Sequence, residues 1–416
     1  MQKKILSLSD QAKIRNDWLG YRLENILPPI MKRTGIDMWI VLAREYNEDP
    51  VMKSLFPAPV MTASRLTGLI FSITDNDTLE CFSLYPKESS MLAPFYTPVW
   101  EKGKETQWER LNKLVEEKKP GTIGIDTSEK SALADGLSKH LHDELVNCLS
   151  GEYRKKLRSA EDLVTGWLET RSGKELQVYA GINNIIHSII AEAFSSKVID
   201  VGITRTTDLE WWMMEKAASM GLPSWFPFDV DLQRKGEKDS RIANEVILPG
   251  DVLRCDVGIE YLGLKTDTQR LCYVLNMGET DVPEGMKDAL KTGNRFQDIV
   301  CENFIEGKTG NEILAASLKQ AEKENIKAQL YTHPIGFHGH GAGPMVGLWD
   351  NQKSVPGRGD YPLHSDTCYA LELNIAQNLP EWDNQEFFIC LEQTVAFRHG
   401  RVFYLDGRQT DFMLVQ

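Results

Sequence analysis

Two segments decide how this chain is read: Arg254-Cys255-Asp256-Val257-Gly258 and, beyond a turn at Tyr261-Leu262-Gly263, Thr266-Asp267-Thr268-Gln269-Arg270. The first is an apolar strand (Val252, Leu253, Val257) interrupted by an acid, Asp256. The second returns with Asp267 and runs on into Leu271-Cys272-Tyr273-Val274-Leu275. A hairpin of this length sets Asp256 and Asp267 side by side on one face. Two ionised carboxylates in apolar surroundings repel each other unless a cation lies between them. Solvated hairpin acids are the plainer alternative for this pair taken alone.

Features further along weigh against that alternative. Tyr369-Ala370-Leu371-Glu372-Leu373-Asn374-Ile375 alternates, with Leu371, Leu373 and Ile375 on one face and Glu372 on the other. Phe387-Phe388-Ile389-Cys390-Leu391-Glu392 places Glu392 in one of the most apolar runs of the sequence. Between hairpin and strands lies a loop rich in His and Gly, from Tyr331-Thr332-His333-Pro334 through Phe337-His338-Gly339-His340 to Gly343. Two Asp, one His and two Glu held in strands or a Gly-rich turn suit two hard-to-borderline divalent cations.

The order Asp, Asp, His, Glu, Glu resembles the pita-bread metallopeptidases, family M24, which include aminopeptidase P, prolidase and methionine aminopeptidase. The residues that carry the resemblance are Gly250-Asp251 leading to Asp256-x-Gly258, Asp267-x-x-Arg270, Gly339-His340-Gly341-x-Gly343, Leu371-Glu372 and Leu391-Glu392. The resemblance implies metal ligands Asp256, Asp267, His340, Glu372 and Glu392, with Asp256 chelating one cation and Asp267 and Glu392 bridging. It implies that Glu372 also serves as catalytic base for an attacking hydroxide. His338 is the runner-up ligand, and His333 and His338 are candidate substrate contacts. Two divalent ions are expected, manganese foremost, with zinc, cobalt and iron compatible.

Two departures from the family pattern stand out. A substrate-touching histidine seven residues after the metal histidine would fall at Gly347 if His340 is the ligand. Another, about seventeen residues before the first Asp, falls at Asp239, beside Arg241, which is a candidate for holding a substrate carboxylate. Trp349 and Trp382 lie in loops nearby, as pocket walls or as ordinary packing.

With 416 residues, two domains are expected. Hydrophobic residues make up 42% and charged residues 26%, an ordinary globular composition. A net charge of −13 argues against nucleic-acid or anionic-membrane partners. Seven cysteines without a CxxC pair read as buried thiols rather than disulfides or a zinc ribbon. No window reaches membrane-span length, and Ile5-Leu6-Ser7-Leu8 after the basic Met1-Gln2-Lys3-Lys4 is too short for a signal core. The expected location is cytoplasmic, or periplasmic if a leader peptide was removed.

Residues 9 to 35 read as helix, Met38–Leu42 as a buried strand, and 69–73 with 79–84 as a hairpin about Asp75-Asn76-Asp77. A Lys- and Glu-rich helix (108–119) and a strand at 122–126 complete an α/β N-terminal domain resembling that of the creatinase and prolidase group. From 159 to 220 helical spacing dominates. Ser172-Gly173-Lys174-Glu175 opens a helix, His187 is a packed residue rather than a ligand, and Trp211, Trp212, Met213 and Met214 form a core cluster. The boundary is expected at 158/159, giving an N-terminal domain of 1–158 and an α+β pita-bread catalytic domain of 159–416. Leu248-Pro249-Gly250-Asp251 through Asp256 and Tyr361-Pro362 through Glu372 repeat one grammar of turn, apolar strand and acid, as two related halves would.

The function implied is hydrolysis of small peptides at Xaa-Pro bonds by a soluble enzyme, a homodimer by resemblance. Rivals are a non-peptide hydrolase or lyase on the same fold, and an inactive pita-bread binding module.

Overall fold

Buried apolar strands at Met38–Arg44 (β1) and Leu66–Ile73 (β2) pair antiparallel from Met38↔Ser72 to Arg44↔Leu66 and found the first of two compact units, Leu6–Ser172. In this computed structural model, residues 5–74, 76–86, 91–405 and 407–416 are described. The basic segment Met1-Gln2-Lys3-Lys4 and the turn residue Asp75 lie outside them. Leu79–Pro86 (β3), Thr97–Trp100 (β4), Ile123–Ile125 (β5) and Leu157–Ser159 (β6) extend the sheet to the order β4-β3-β2-β1-β5-β6. Helices Gln107–Lys118 and Lys139–Cys148 cover it through Leu111, Leu114, Leu141 and Leu145. The expected first helix is two, Leu8–Asn25 and Leu27–Thr34, because Pro28 and Pro29 cannot continue the Leu8 helix's hydrogen bonds.

The units part at Ser172/Gly173 rather than at 158/159. The reason is packing: in the helix Glu161–Glu169, Gly166 lies against Ile30, and Trp167 Nε1 donates to Ser54 Oγ at 2.7 Å.

The second unit, Gly173–Gln416, opens with helices Gly173–Ala193 and Thr206–Ser219. Tyr179, Ile182, Ile186 and Ile189 are buried as their spacing predicts, and half-buried His187 lies beside Arg270. The Trp–Met cluster departs from expectation: Met213 is fully buried, but Trp211 is exposed, since adjacent helical positions point to different faces.

Strands Asp229–Gln233 (β7), Val252–Val257 (β8), Glu260–Tyr261 (β9), Leu264–Lys265 (β10), Thr268–Val274 (β11) and Lys327–Leu330 (β12) are followed by His333–Pro334 (β13), Thr367–Leu379 (β14), Gln385–Arg398 (β15), Arg401–Tyr404 (β16) and Met413–Val415 (β17). All but β9 and β10 form one sheet with the path β12-β14-β15-β11-β8-β7. Its long hairpin β14–β15 turns Leu371, Leu373, Ile375, Ile389 and Leu391 into a core with helices Glu284–Asn303 and Gly310–Lys323. Glu372 and Glu392 necessarily project from the opposite face. All seven cysteines are free thiols, and among the described residues no helix is long and apolar enough to cross a membrane.

The first unit buries an acid pair. Asp126 accepts from Trp39 Nε1 at 2.6 Å and Asp49 from the Val51 amide at 3.0 Å, and both are 1% exposed. Burial pushes Asp49 up to about 6, and burial together with the Asp49 charge holds Asp126 well above the carboxylate range. A carboxyl with a raised folded-state pKa binds more protons folded than unfolded, so its stability contribution falls as pH rises between the two values. Asp49→Asn should therefore gain about 2 kcal/mol over wild type at pH 8 and converge with it towards pH 4. Urea denaturation of both proteins at the two pH values measures this, and a pH-independent difference contradicts it.

Candidate metal centre

The register of the second sheet collects the acids. β7 sets Asp229 opposite Asp256, β8 sets Asp256 opposite Gln269, β11 sets Gln269 opposite Glu392, and β15 sets Glu392 opposite Glu372. Directly opposed residues share a face with Cβ atoms about 5 Å apart, so these five form one row across five strands. Asp267 lies on the same face two residues before Gln269. The two hairpin aspartates are thus diagonal rather than opposite, and Gln269 fills the slot between them. His333 joins from β13, opposite Ala370 and two residues short of Glu372.

Three overlapping groups result: Asp256–Asp267–Glu392, His333–Glu372–Glu392 and Asp267–His333–His340, each with ligand atoms within 4.8 Å of one another. Asp267 Oδ1, both Glu392 carboxylate oxygens and His333 Nε2 are buried without a hydrogen-bond partner among the described residues. Burial, then the charges of Asp256 and Glu372, hold Asp267 well above the usual range. Burial, then Asp267, does the same to Glu392, and burial with Asp256 raises Glu372 to about 7. Unpaired buried acids are expensive, and divalent cations are the species that relieve several at once. The donor set, oxygen-rich with imidazole, fits such ions.

The histidines differ in burial and in what they face. His333, expected as a substrate contact, is 3% exposed, with Nε2 3.5 Å from Asp267 Oδ2 and 3.7 Å from Glu392 Oε1. Its Nδ1 lies 3.1 Å from the Pro334 carbonyl. Donation there leaves Nε2 facing the acids, the arrangement of a metal-ligating imidazole. His340, expected as the ligand, is exposed and stands edge-on to both His333 (4.7 Å) and Trp225 (5.5 Å). Desolvation, then His333, push its pKa down to about 4, so it is neutral at ordinary pH. His338 is half-buried and outside all three groups. The signal in the sequence was position: His333 follows the strand Lys327–Leu330 after two intervening residues, whereas His338 and His340 sit among glycines.

A cavity of about 620 Å³ opens onto the row and includes Asp256, Asp267, His340, Glu372 and Glu392 in its lining. Trp225, Phe226 and the exposed Trp349 supply apolar walls, whereas Trp382 packs against Phe387 in the core. Gly347 has φ +80°, and a Cβ there would meet the Leu330 carbonyl oxygen at 2.0 Å, so no side chain fits. Counted from His333, the residue seven positions on is His340.

Asp239 accepts from the Arg241 amide at 2.9 Å, while Arg241 itself lines the cavity. Two further polar groups escaped sequence reasoning. Gln269 Nε2 donates to Glu372 Oε1 at 2.6 Å and Asp256 Oδ2 at 3.2 Å. The Arg358 guanidinium is largely desolvated, acts on His340 electrostatically and has no ion-pair partner among the described residues. A lone arginine between the histidine loop and β14 was the available sign.

Comparison with known proteins bears on fold and family. No curated protein sequence matches the chain. An X-Pro aminopeptidase from Thermotoga maritima has the same fold at TM-score 0.66 and 15% identity, over 93% of this chain and all of the other. A Xaa-Pro dipeptidase from Bacillus anthracis aligns at 0.60 and 14%, over 98% of this chain and all of the other. The N-terminal domain of the FACT complex subunit SPT16 from chickpea aligns at 0.56 and 14%, over 98% of this chain and 99% of its own. The family model for metallopeptidase family M24 matches residues 182–399, which span the whole acid row, and the chain belongs to that family.

Proposed function

We propose that the chain is a two-metal peptidase acting on short Xaa-Pro peptides, with His333, Asp256, Asp267, Glu372 and Glu392 holding the metals. The observation that carries this is the set of buried, unpartnered acid and imidazole atoms at the focus of the cavity. Two divalent ions bound there would lower the pKa of a shared water and polarise the scissile carbonyl. Manganese is the first ion to test.

The chain's own groups divide the remaining work. Glu372 has Oε1 committed to Gln269, which leaves Oε2 to take the proton of the attacking water. His340, neutral and open to the cavity, donates a hydrogen bond to the substrate carbonyl as negative charge develops. Arg358, beside His340, receives the carboxylate of a short peptide, which favours dipeptides over longer chains. The aromatic walls Trp225, Phe226 and Trp349 suit a proline ring. A binding-module role, suggested by the chickpea neighbour's fold, leaves the unpaired buried acids without a purpose.

Manganese-loaded protein should cleave Xaa-Pro dipeptides, and Asp267→Ala should lower that rate by at least about a thousandfold. Failure to cleave any peptide while metal is bound would move the assignment to non-peptide chemistry on this fold. Metal analysis separates the histidines. His333→Ala should lose at least one equivalent of manganese, whereas His340→Ala should keep both and lose about a hundredfold in kcat/KM. Metal loss confined to His340→Ala would restore His340 as the ligand.

A further inference from the structure

One pleat along from the acid row, the same strands carry a second set of side chains. Asp231 lies opposite Arg254 on β7–β8, Cys390 opposite Asn374 on β14–β15, and Asn374 opposite Gln329 on β12. This set lies on the far side of Glu372 from His333, because Ala370, opposite His333, and Asn374 flank Glu372 along β14. The cavity therefore has two ends about the row, one at His340 and one at Arg254 and Arg241.

The second end is built from a fixed charge set. Arg254, 6% exposed, donates through Nη2 to Asp231 at 2.6 Å and to Asp229 at 2.8 Å, and through Nη1 to Asp256 at 3.3 Å. Arg241 donates through Nε to Asp231 at 2.7 Å and through Nη2 to Asp229 at 2.6 Å. Two carboxylates thus pin both edges used by Arg241 and stop its side chain from swinging. Its Nη1 has no partner among the described residues, and the side chain is 58% exposed in the cavity wall.

Charge balance decides which substrate group suits this end. With two divalent cations bound, Asp229, Asp231, Asp256, Asp267, Glu372 and Glu392 would be balanced by those cations and the two arginines. No carboxylate of the cavity is then left over for a basic substrate side chain, while Arg241 Nη1 still offers hydrogens to an acceptor. A guanidinium held in place loses little entropy on receiving a carboxylate, so the contact is selective. With the peptide carboxylate at Arg358 beside His340, the group reaching the opposite end belongs to the N-terminal residue.

We propose that Arg241 is a specificity-determining residue that selects substrates whose N-terminal residue carries an acidic side chain. This rests on the peptidase assignment and names its substrate class. The experiment compares kcat/KM for Glu-Pro, Gln-Pro and Lys-Pro with manganese-loaded protein, and measures calorimetric binding of Glu-Pro and Gln-Pro to metal-free protein. Wild type should prefer Glu-Pro over its isostere Gln-Pro by about tenfold, with Lys-Pro poorest. In Arg241→Gln the kcat/KM ratio of Glu-Pro to Gln-Pro should fall towards one and the metal-free binding ratio should fall below its wild-type value, and Arg241→Lys should restore part of both. Equal values for Glu-Pro and Gln-Pro in wild type, or a preference undiminished in Arg241→Gln, would overturn the proposal. The wild-type comparison decides by itself, without dependence on any variant's folding. Absence of all cleavage would defeat the peptidase assignment separately, while the calorimetric comparison would still test Arg241.

Discussion

Everything in the second unit answers to one constraint: four carboxylates, Asp256, Asp267, Glu372 and Glu392, occupy one face of a sheet whose other face is core. Such a set is tolerable only with compensating positive charge or hydrogen-bond donors, and the surroundings supply part of this in layers. Arg254 leans on Asp256, Gln269 donates to Asp256 and Glu372, and His333 closes on Asp267 and Glu392. What these neighbours leave unmet, the orphaned oxygens of Asp267 and Glu392, is what metal chemistry exploits.

The sheet makes that concentration of charge possible. Antiparallel pairing fixes register to the residue, so four hairpin-linked strands align Asp256, Gln269, Glu392 and Glu372 in one line. The same alternation that turns Glu372 to the cavity packs Leu371 and Leu373 against the helices, and a one-residue slip would turn the acids into the apolar core and the core residues to the cavity. Fold stability and site geometry are therefore a single register choice. The loop glycines serve it as well: Gly347 lets the chain pass against the Leu330 carbonyl beside the strand that delivers His333.

Neighbours with this fold include an aminopeptidase, a dipeptidase and a subunit domain of a larger complex, so fold alone leaves function open. The distinctions lie in the side chains around the row. Arg241 and Arg254 line the cavity on the far side of the row from His333, and Arg358 acts on His340 through its charge.

By itself, the sequence determined the pieces governed by local periodicity and order. The alternation of Leu371-Glu372-Leu373, the acid in the apolar run before Glu392, and Asp256 and Asp267 on a hairpin were readable because strand side chains alternate with period two. Local helix signals were readable for the same kind of reason, as with the helix that opens at Ser172-Gly173. Tertiary structure alone tells three histidines within eight residues apart, burying His333 beside Asp267 and Glu392 with Nδ1 on the Pro334 carbonyl, because neither burial nor the partner of Nδ1 is readable from residue type. It also decided that Gln269 sits in the row, that Trp211 faces outward and that Arg358 has no ion-pair partner among the described residues. Those are properties of what other strands and loops bring alongside, and no local pattern encodes them.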